Sequence, residues 1–339
     1  MKKIKTIKKI ESMHTLNELS TLFNQALNSE IEALKNKQPA TLYEPVIYTM
    51  SIGGKRIRPL FLLMAHELFD SKIENAFPAA FAIEMFHNFT LLHDDIMDSA
   101  ELRRNQPTIH VKYSDNIAIL SGDAMSILSY DYINRCSSKN YRQIFDLFTQ
   151  TALEICEGQQ YDMDFESRND VTVNQYLKMI GLKTAILIAA SLKIGALTSD
   201  TTQKNADLLY HFGFNLGMAF QLQDDYLDTY GDTESFGKNI GGDIVANKKT
   251  FLLLKALELA SPHKKSELEE LLKLNNFNAT EKISRVKAIY NEFGVVEYAR
   301  NLMEDYYNKA INSLKLVEVE EDKKIELLLA AKKMMNRNN

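Results

Sequence analysis

Three aspartates at positions 94, 95 and 98, and three more at 224, 225 and 228, share one spacing. Each set stands at the end of a long, mostly apolar segment: FAIEMFHNFTLL leads to the first and HFGFNLGMAFQLQ to the second. Positions four apart lie on one helix face, where like charges repel and weaken an isolated helix. Carboxylates held this way want a compensating cation. Several hard oxygen donors at one site suit magnesium, which keeps waters and takes the rest of its shell from phosphate. A single Asp-Asp pair is more often a solvated helix end. The repeated pattern turns the reading toward a metal clamp on a diphosphate.

Cations accompany both sets. Arg103 and Arg104 follow the first; Lys238, then Lys248 and Lys249, follow the second. Upstream, GGKRIRP (Gly53 to Pro59) gathers Lys55, Arg56 and Arg58 just before a helix start, behind two glycines that permit close backbone approach. Arginine offers forked bonds to phosphate oxygens and lysine a mobile point charge. Lys183 and Thr184 sit in the otherwise apolar run KMIGLKTAILIAA. A buried lysine needs an anion, and a bound diphosphate would supply one. Glu84 and His87 form a Glu-x-x-His pair, the spacing that di-iron bundles use from two helices. Beside the aspartates and the cations, His87 reads as a diphosphate contact or a satisfied core histidine.

Such side chains must be carried by helices. The 339 residues include only 13 glycines and 6 prolines, where average usage of about 12% would give roughly forty. A chain so poor in breakers is mostly helical. Apolar residues recur at spacings of three and four, as in Leu16, Leu19, Leu22, Phe23 and Leu27, the stripe of an amphipathic helix. Strand-like alternation is nearly absent. The periodicity predicts helices near 13–36, 43–51, 59–70, 76–99, 115–136, 140–165, 173–197, 203–230, 248–260, 264–273, 279–313 with a break near Gly294, and 319–336. The expectation is one all-α domain over 1–339. Its main loop, TYGDTESFGKNIGGDI (Thr229 to Ile244), carries four of the glycines and is polar enough to be functional.

With 40 Lys+Arg against 45 Asp+Glu, 45% hydrophobic and 25% charged residues, the composition excludes disorder and a collagen-like chain. It also gives no electrostatic footprint for nucleic acid. Cys136 and Cys156 make neither a disulfide framework nor a zinc ligand set. Five lysines fall in the first nine residues with no apolar signal-peptide core behind them. The apolar run Ala185 to Leu192 falls short of the about 18 residues of a membrane span. A cytoplasmic protein without a stable membrane anchor is expected.

In GGKRIRP, HDDIMDSAELRR, GLKTA, FQLQDDYLD and GKNIGGDIVANKKT, taken in order and spacing, the sequence resembles the trans-isoprenyl diphosphate synthases, the polyprenyl synthetase family, over most of its length. The resemblance implies an all-helical bundle around a deep apolar cavity, assembled as a homodimer. It implies magnesium-dependent, head-to-tail joining of isopentenyl diphosphate to an allylic diphosphate (dimethylallyl, geranyl or farnesyl). By that resemblance Asp94, Asp98 and Asp224 coordinate three magnesium ions, with Asp95, Asp225 and Asp228 as direct ligands or support. Arg103, Lys183, Lys238 and Lys248 would hold the allylic diphosphate. Lys55, Arg58, His87 and Arg104 would hold isopentenyl diphosphate, and Thr184 and Gln221 would lie near the developing cation. The sequence departs from the family where Asn105 replaces the glycine usual after the two arginines; asparagine tolerates the left-handed backbone there.

Product length follows from the helix that delivers Asp94. A growing apolar chain reaches, about one helical turn below the aspartates, Phe89 with Thr90 beside it, and then Phe86 on the same face. A bulky floor there predicts a product of roughly fifteen to twenty carbons, leaning to twenty. Two enzyme alternatives remain at this point, a class I terpene cyclase and a longer-chain polyprenyl diphosphate synthase. A non-catalytic partner subunit would show degraded aspartate motifs, and these are intact.

Overall fold

The computed structural model describes residues 13–199, 201–231, 240–274 and 278–336. The chain opens with α1 (Leu16–Leu34), started by a capping box in which Thr15 and Glu18 satisfy each other's backbone N–H groups. Leu19, Phe23, Leu27, Ile31 and Leu34 of α1 form its buried stripe, with Leu16 and Leu22 at its margin. Then come α2 (Ala40–Ser51), α3 (Ile57–Glu67), a 3₁₀ turn and the long α4 (Phe77–Met97). A small antiparallel hairpin follows, β1 (Leu102–Arg103) pairing with β2 (Gln106–Pro107). Arg104 and Asn105 at its tip both have positive φ (52° and 61°), so Asn105 does occupy the left-handed region. Next are the short α5 (Ile109–Lys112), then α6 (Asp115–Asn134), α7 (Tyr141–Ser167) and α8 (Val173–Ile180).

From α8 the chain runs through a π-helical turn, Gly181–Ala185, straight into α9 (Ile186–Leu197). After α10 (Gln203–Tyr230) and α11 (Gly242–Val245) it continues as α12 (Phe251–Leu259), α13 (Pro262–Lys273), α14 (Ala279–Glu292), α15 (Val295–Lys315) and α16 (Glu321–Met335). Gly294, at φ 63°, makes the expected break between α14 and α15.

Every residue of α9 except Lys193 is buried. A helix apolar on all sides belongs at the centre of a bundle, and α3, α4, α7 and α10 pack around α9. Counted with α8 and the π turn, Val173–Leu197 is long and apolar enough to cross a membrane by length and composition, yet 78% of its most apolar window is buried inside the bundle. It is the core helix. The α10 helix belongs to two hydrophobic clusters: Leu209, Phe212 and Leu216 join the one built with α1–α7 and α9, while Met218 and Leu222 join the one built with α8 and α12–α15. Each such fully buried side chain contributes roughly 1.5–3 kcal/mol. This packing fixes the C-terminal ends of α4 and α10, where the aspartates stand.

Candidate functional site

Asp94 and Asp95 occupy the last turn of α4, and Asp98 is its C-cap. Asp94 is one-fifth exposed and receives Lys183 Nζ at 3.4 Å. Desolvation and the neighbouring charge of Asp94 push the Asp98 carboxyl above the usual range, while Lys248 and Lys183 pull it back. The repulsion expected from the spacing is therefore real, and cations from two other elements face it.

Asp95 points inward. Its carboxylate is gripped by Arg103 through Nε at 2.8 Å and Nη2 at 2.6 Å. Desolvation lowers the Arg103 pKa, but the bond and charge of Asp95 outweigh it and carry the group above its usual range. The hairpin thus returns Arg103 to the motif it follows, while Arg104 goes the other way and donates to the Gly53 carbonyl. Lys55 is exposed beside that glycine pair.

Arg58 and His87 meet across α3 and α4, with Arg58 Nη1 3.1 Å from His87 Nε2. Burial pushes the guanidinium down to about 10, opposed by the charges of Glu84 and Asp224. Burial first, and the charge of Arg58 second, hold the His87 imidazole well below its ordinary pKa, so it is neutral and accepts from Arg58. Arg56 behaves differently from its neighbours. It is buried in a left-handed conformation, paired with Glu84 and donating to the Met50 carbonyl. Arg56 is not a surface cation of the GGKRIRP loop, and Glu84, which also accepts from Asn88 Nδ2 at 2.7 Å, is committed to that pair rather than to a metal.

The π turn presents Lys183 and Thr184. One extra residue in the ladder bulges the helix, and such bulges recur at functional sites. Gly158 of α7 makes room: a Cβ there would lie 2.4 Å from the Lys183 backbone nitrogen. Lys183 Nζ bonds Asp162 of α7 at 2.6 Å as well as Asp94. Desolvation opposes its charge, but the two carboxylates raise its pKa above the usual value.

The Thr184 hydroxyl donates to Gln221 Oε1 at 3.1 Å, and Gln221 Nε2 donates to Asp225 Oδ1 at 3.1 Å. The other Asp225 oxygen accepts from the Tyr176 hydroxyl. Burial pushes the Asp225 carboxyl up to about 8; the two donors pull it down, and Asp243 and Asp224 push it further up. Asp224 is half-buried on the same helix end. Asp228 accepts the Asp243 N–H at 2.9 Å and so ties down the start of α11.

Asp162, Lys183, Thr184, Gln221, Asp225 and Lys248 are among the residues that line a cavity of about 130 Å³, whereas Asp95, Arg103 and Arg104 line a separate, smaller one. Lys248 lies 4.0 Å from Asp243, and Lys249 and Thr250 complete that wall. Lys238 lies outside the described residues. Asp162, Tyr176 and Asp243 join the site without having stood out in the sequence. For Asp162 a signal existed: it falls in register with Ile155, Gly158 and Phe165, the buried stripe of α7. Among the described residues no three His, Cys, Asp or Glu side chains form a ready-made metal cage. The donors are hard carboxylates on two helix ends, which suits ions whose shells are completed by diphosphate oxygens and water.

Below Asp94, half-buried Phe89 stacks edge-on between His93 (4.8 Å) and Phe86 (5.4 Å), and buried Phe86 in turn meets Phe148 of α7 (5.4 Å). The Thr90 hydroxyl donates to the His87 carbonyl at 2.8 Å. Gly122 of α6 lets His93 in: a Cβ there would lie 2.2 Å from its Nε2.

Residues 39–293 match the polyprenyl synthetase family. The chain is 40% identical over 309 residues to a geranylgeranyl diphosphate synthase of Sulfolobus acidocaldarius, covering 88% of this chain and 92% of the relative. It is 36% identical to a geranylfarnesyl diphosphate synthase of Aeropyrum pernix, covering 86% and 92%. Among solved structures, a geranylgeranyl pyrophosphate synthase superimposes with a TM-score of 0.90 at 43% identity, covering 96% of this chain and 99% of that one. A polyprenyl synthase of Caulobacter crescentus, complexed with calcium and isoprenyl diphosphate, gives a TM-score of 0.83 at 27% identity, covering 95% and 97%.

Proposed function

Because the chain belongs to the polyprenyl synthetase family, we propose that its cleft joins isopentenyl diphosphate head to tail to an allylic diphosphate and releases geranylgeranyl diphosphate. It is a prenyltransferase making short-chain prenyl diphosphates. The observation that carries the detailed reading is Lys183: its ammonium, in the cavity that Asp225 also lines, touches Asp94 of the other motif. One anion placed there would meet both aspartate helices.

Lys183, Lys248 and Lys249 hold the allylic diphosphate on the α10 side, and Arg58, Arg104, Lys55 and neutral His87 hold isopentenyl diphosphate on the α3 side. Asp94, Asp98 and Asp224 are the ligands for magnesium, three ions per site, which when bound would withdraw charge from the departing diphosphate. Met179 and Ile180 line the cavity beside Lys183 and help exclude water from the allylic cation. The Thr184 proton is already given to Gln221, so the hydroxyl turns oxygen lone pairs rather than a proton toward positive charge. Ile119, Leu120 and Ile127 on α6 and Leu153 on α7 are large exposed apolar residues; they support a homodimer through this face.

Incubation with labelled isopentenyl diphosphate and each allylic primer tests the reaction. Elongation that needs both substrates is expected; turnover of the allylic diphosphate alone would replace this reading with a cyclase. Product length is tested by Phe89→Ala. Phe89 is the half-buried ring and Phe86 the buried one behind it, so the growing chain meets Phe89 first. The variant should release products longer by at least one isoprene unit at similar rate. An unchanged product from a folded, active variant would leave Phe89 as packing alone, with a stability loss of about 3–5 kcal/mol.

A further inference from the structure

Lys282 of α14 is 1% exposed, among the most deeply buried charged groups described. Burying an ammonium is costly unless it makes bonds that repay its desolvation, and a methionine would fill the same volume without that cost. Its Nζ bonds Asn247 Oδ1 at 2.6 Å. Asn247 is a left-handed residue (φ 56°) whose Nδ2 donates to the Leu272 carbonyl at the end of α13, 3.0 Å away. The three residues that follow it, Lys248, Lys249 and Thr250, all line the cavity. The same helix braces the other bend of this segment: a Cβ on Gly241 (φ 84°) would lie 2.7 Å from Ile283 Cδ1. Thus α14, none of whose residues lines the cavity, presses on both turning points of the strip that carries two cations into it.

From this we infer that Lys282 is a positioning residue for the allylic diphosphate, acting through the Asn247 side chain to aim Lys248 and Lys249. The inference rests on the reading of those two lysines as diphosphate contacts.

The test uses geranyl diphosphate and isopentenyl diphosphate with the full chain. Asn247→Gly keeps the left-handed turn and removes both side-chain bonds. It should raise the KM for geranyl diphosphate about tenfold, the loss of one hydrogen bond to a charged group, and leave the KM for isopentenyl diphosphate within about twofold. Lys282→Met should do the same, Lys282→Arg should recover part of the effect, and Lys282→Met with Asn247→Gly should be no worse than either alone. An unchanged geranyl diphosphate KM in Asn247→Gly, or a parallel rise of both KM values with a fall in melting temperature, overturns the inference. Lys248→Ala with Lys249→Ala is the control for its premise. If that double variant binds geranyl diphosphate normally, the reading of the lysines has failed and the inference falls with it; if it binds weakly while Asn247→Gly is normal, only the inference has failed.

Discussion

The ends of α4 and α10 carry the same five-residue pattern and use it differently. In both, the middle aspartate is buried, at 5% exposure. Asp95 is held by a guanidinium fork as one half of an ion pair, whereas Asp225 is held by a phenol and an amide and is pushed up to about 8. The last aspartate differs too: Asp98 is exposed, while Asp228 gives an oxygen to the backbone of α11. Spacing sets which residues share a face, but partners brought from elsewhere in the fold set their charge. The α4 end is built as a balanced ion pair behind its outward carboxylates; the α10 end is built as a chain of neutral donors behind its own.

The largest effect should be the same on both sides. Asp94→Ala and Asp224→Ala should each lower turnover by about three orders of magnitude or more at saturating magnesium, since each removes a carboxylate that would hold the metal on the leaving diphosphate. Melting temperatures should change little, because removing a repelling carboxylate opens no core. Steady-state assay of purified variants checks this, and near-normal rate in either would end the symmetry of the two motifs.

The middle aspartates should break that symmetry. Asp95→Asn leaves the Arg103 charge without its partner and should cost about 2 kcal/mol, less than the about 3–5 kcal/mol of a fully buried pair because Arg103 is partly exposed. Asp225→Asn replaces a carboxyl that is already largely neutral and should cost under about 1 kcal/mol at pH 7. Denaturant unfolding without added metal measures both; equal costs would show that the two sites are electrostatically alike after all.

The smallest effect sharpens the contrast in protonation. His87, on the α4 side, is kept neutral by burial and by Arg58. Its folded pKa lies below the unfolded value of about 6.5, so below that pH the unfolded chain binds the extra proton and stability falls as pH falls, by at most about 1.4 kcal/mol per unit from this group. His87→Gln should flatten the stability curve between pH 6.5 and 5 by that amount. Parallel curves for the two proteins would mean that His87 is charged in the fold.

Most helices were legible because apolar period and capping agree locally: Thr15 with Glu18 opens α1, and Gly294 separates α14 from α15. The aspartate motifs were legible because repelling carboxylates that close an apolar helix weaken it unless a cation meets them, and the pattern occurs twice. Pairings across the fold were not. Arg56 looked like a third loop cation because nothing local announces Glu84, 28 residues away, as its partner. Nor does anything local announce Lys183, 21 residues on, as the partner of Asp162. The two-residue strands of the hairpin are too short for alternation to register, and their turn is set by Arg104 and Asn105 rather than by glycine.

The π turn at Gly181–Ala185 has a consequence for how its helix can vary. Because the ladder there closes from Ile186 N to Gly181 O, one residue beyond the α-helical partner, the segments before and after it are out of phase by about one residue's rotation, near 100°. Removing a single residue such as Leu182 would let a regular helix re-form with its hydrogen bonds intact and little loss of helical content. Since the Ile186 N to Gly181 O bond would then close an ordinary α-helical turn, α8 and α9 would keep their phases and α9 its socket, but the bulged backbone that presents Lys183 and Thr184 to the cavity would be lost. A one-residue deletion within the turn would therefore spare the bundle and cost the site, whereas the same deletion within α9 would rotate part of a helix that is buried on nearly every side.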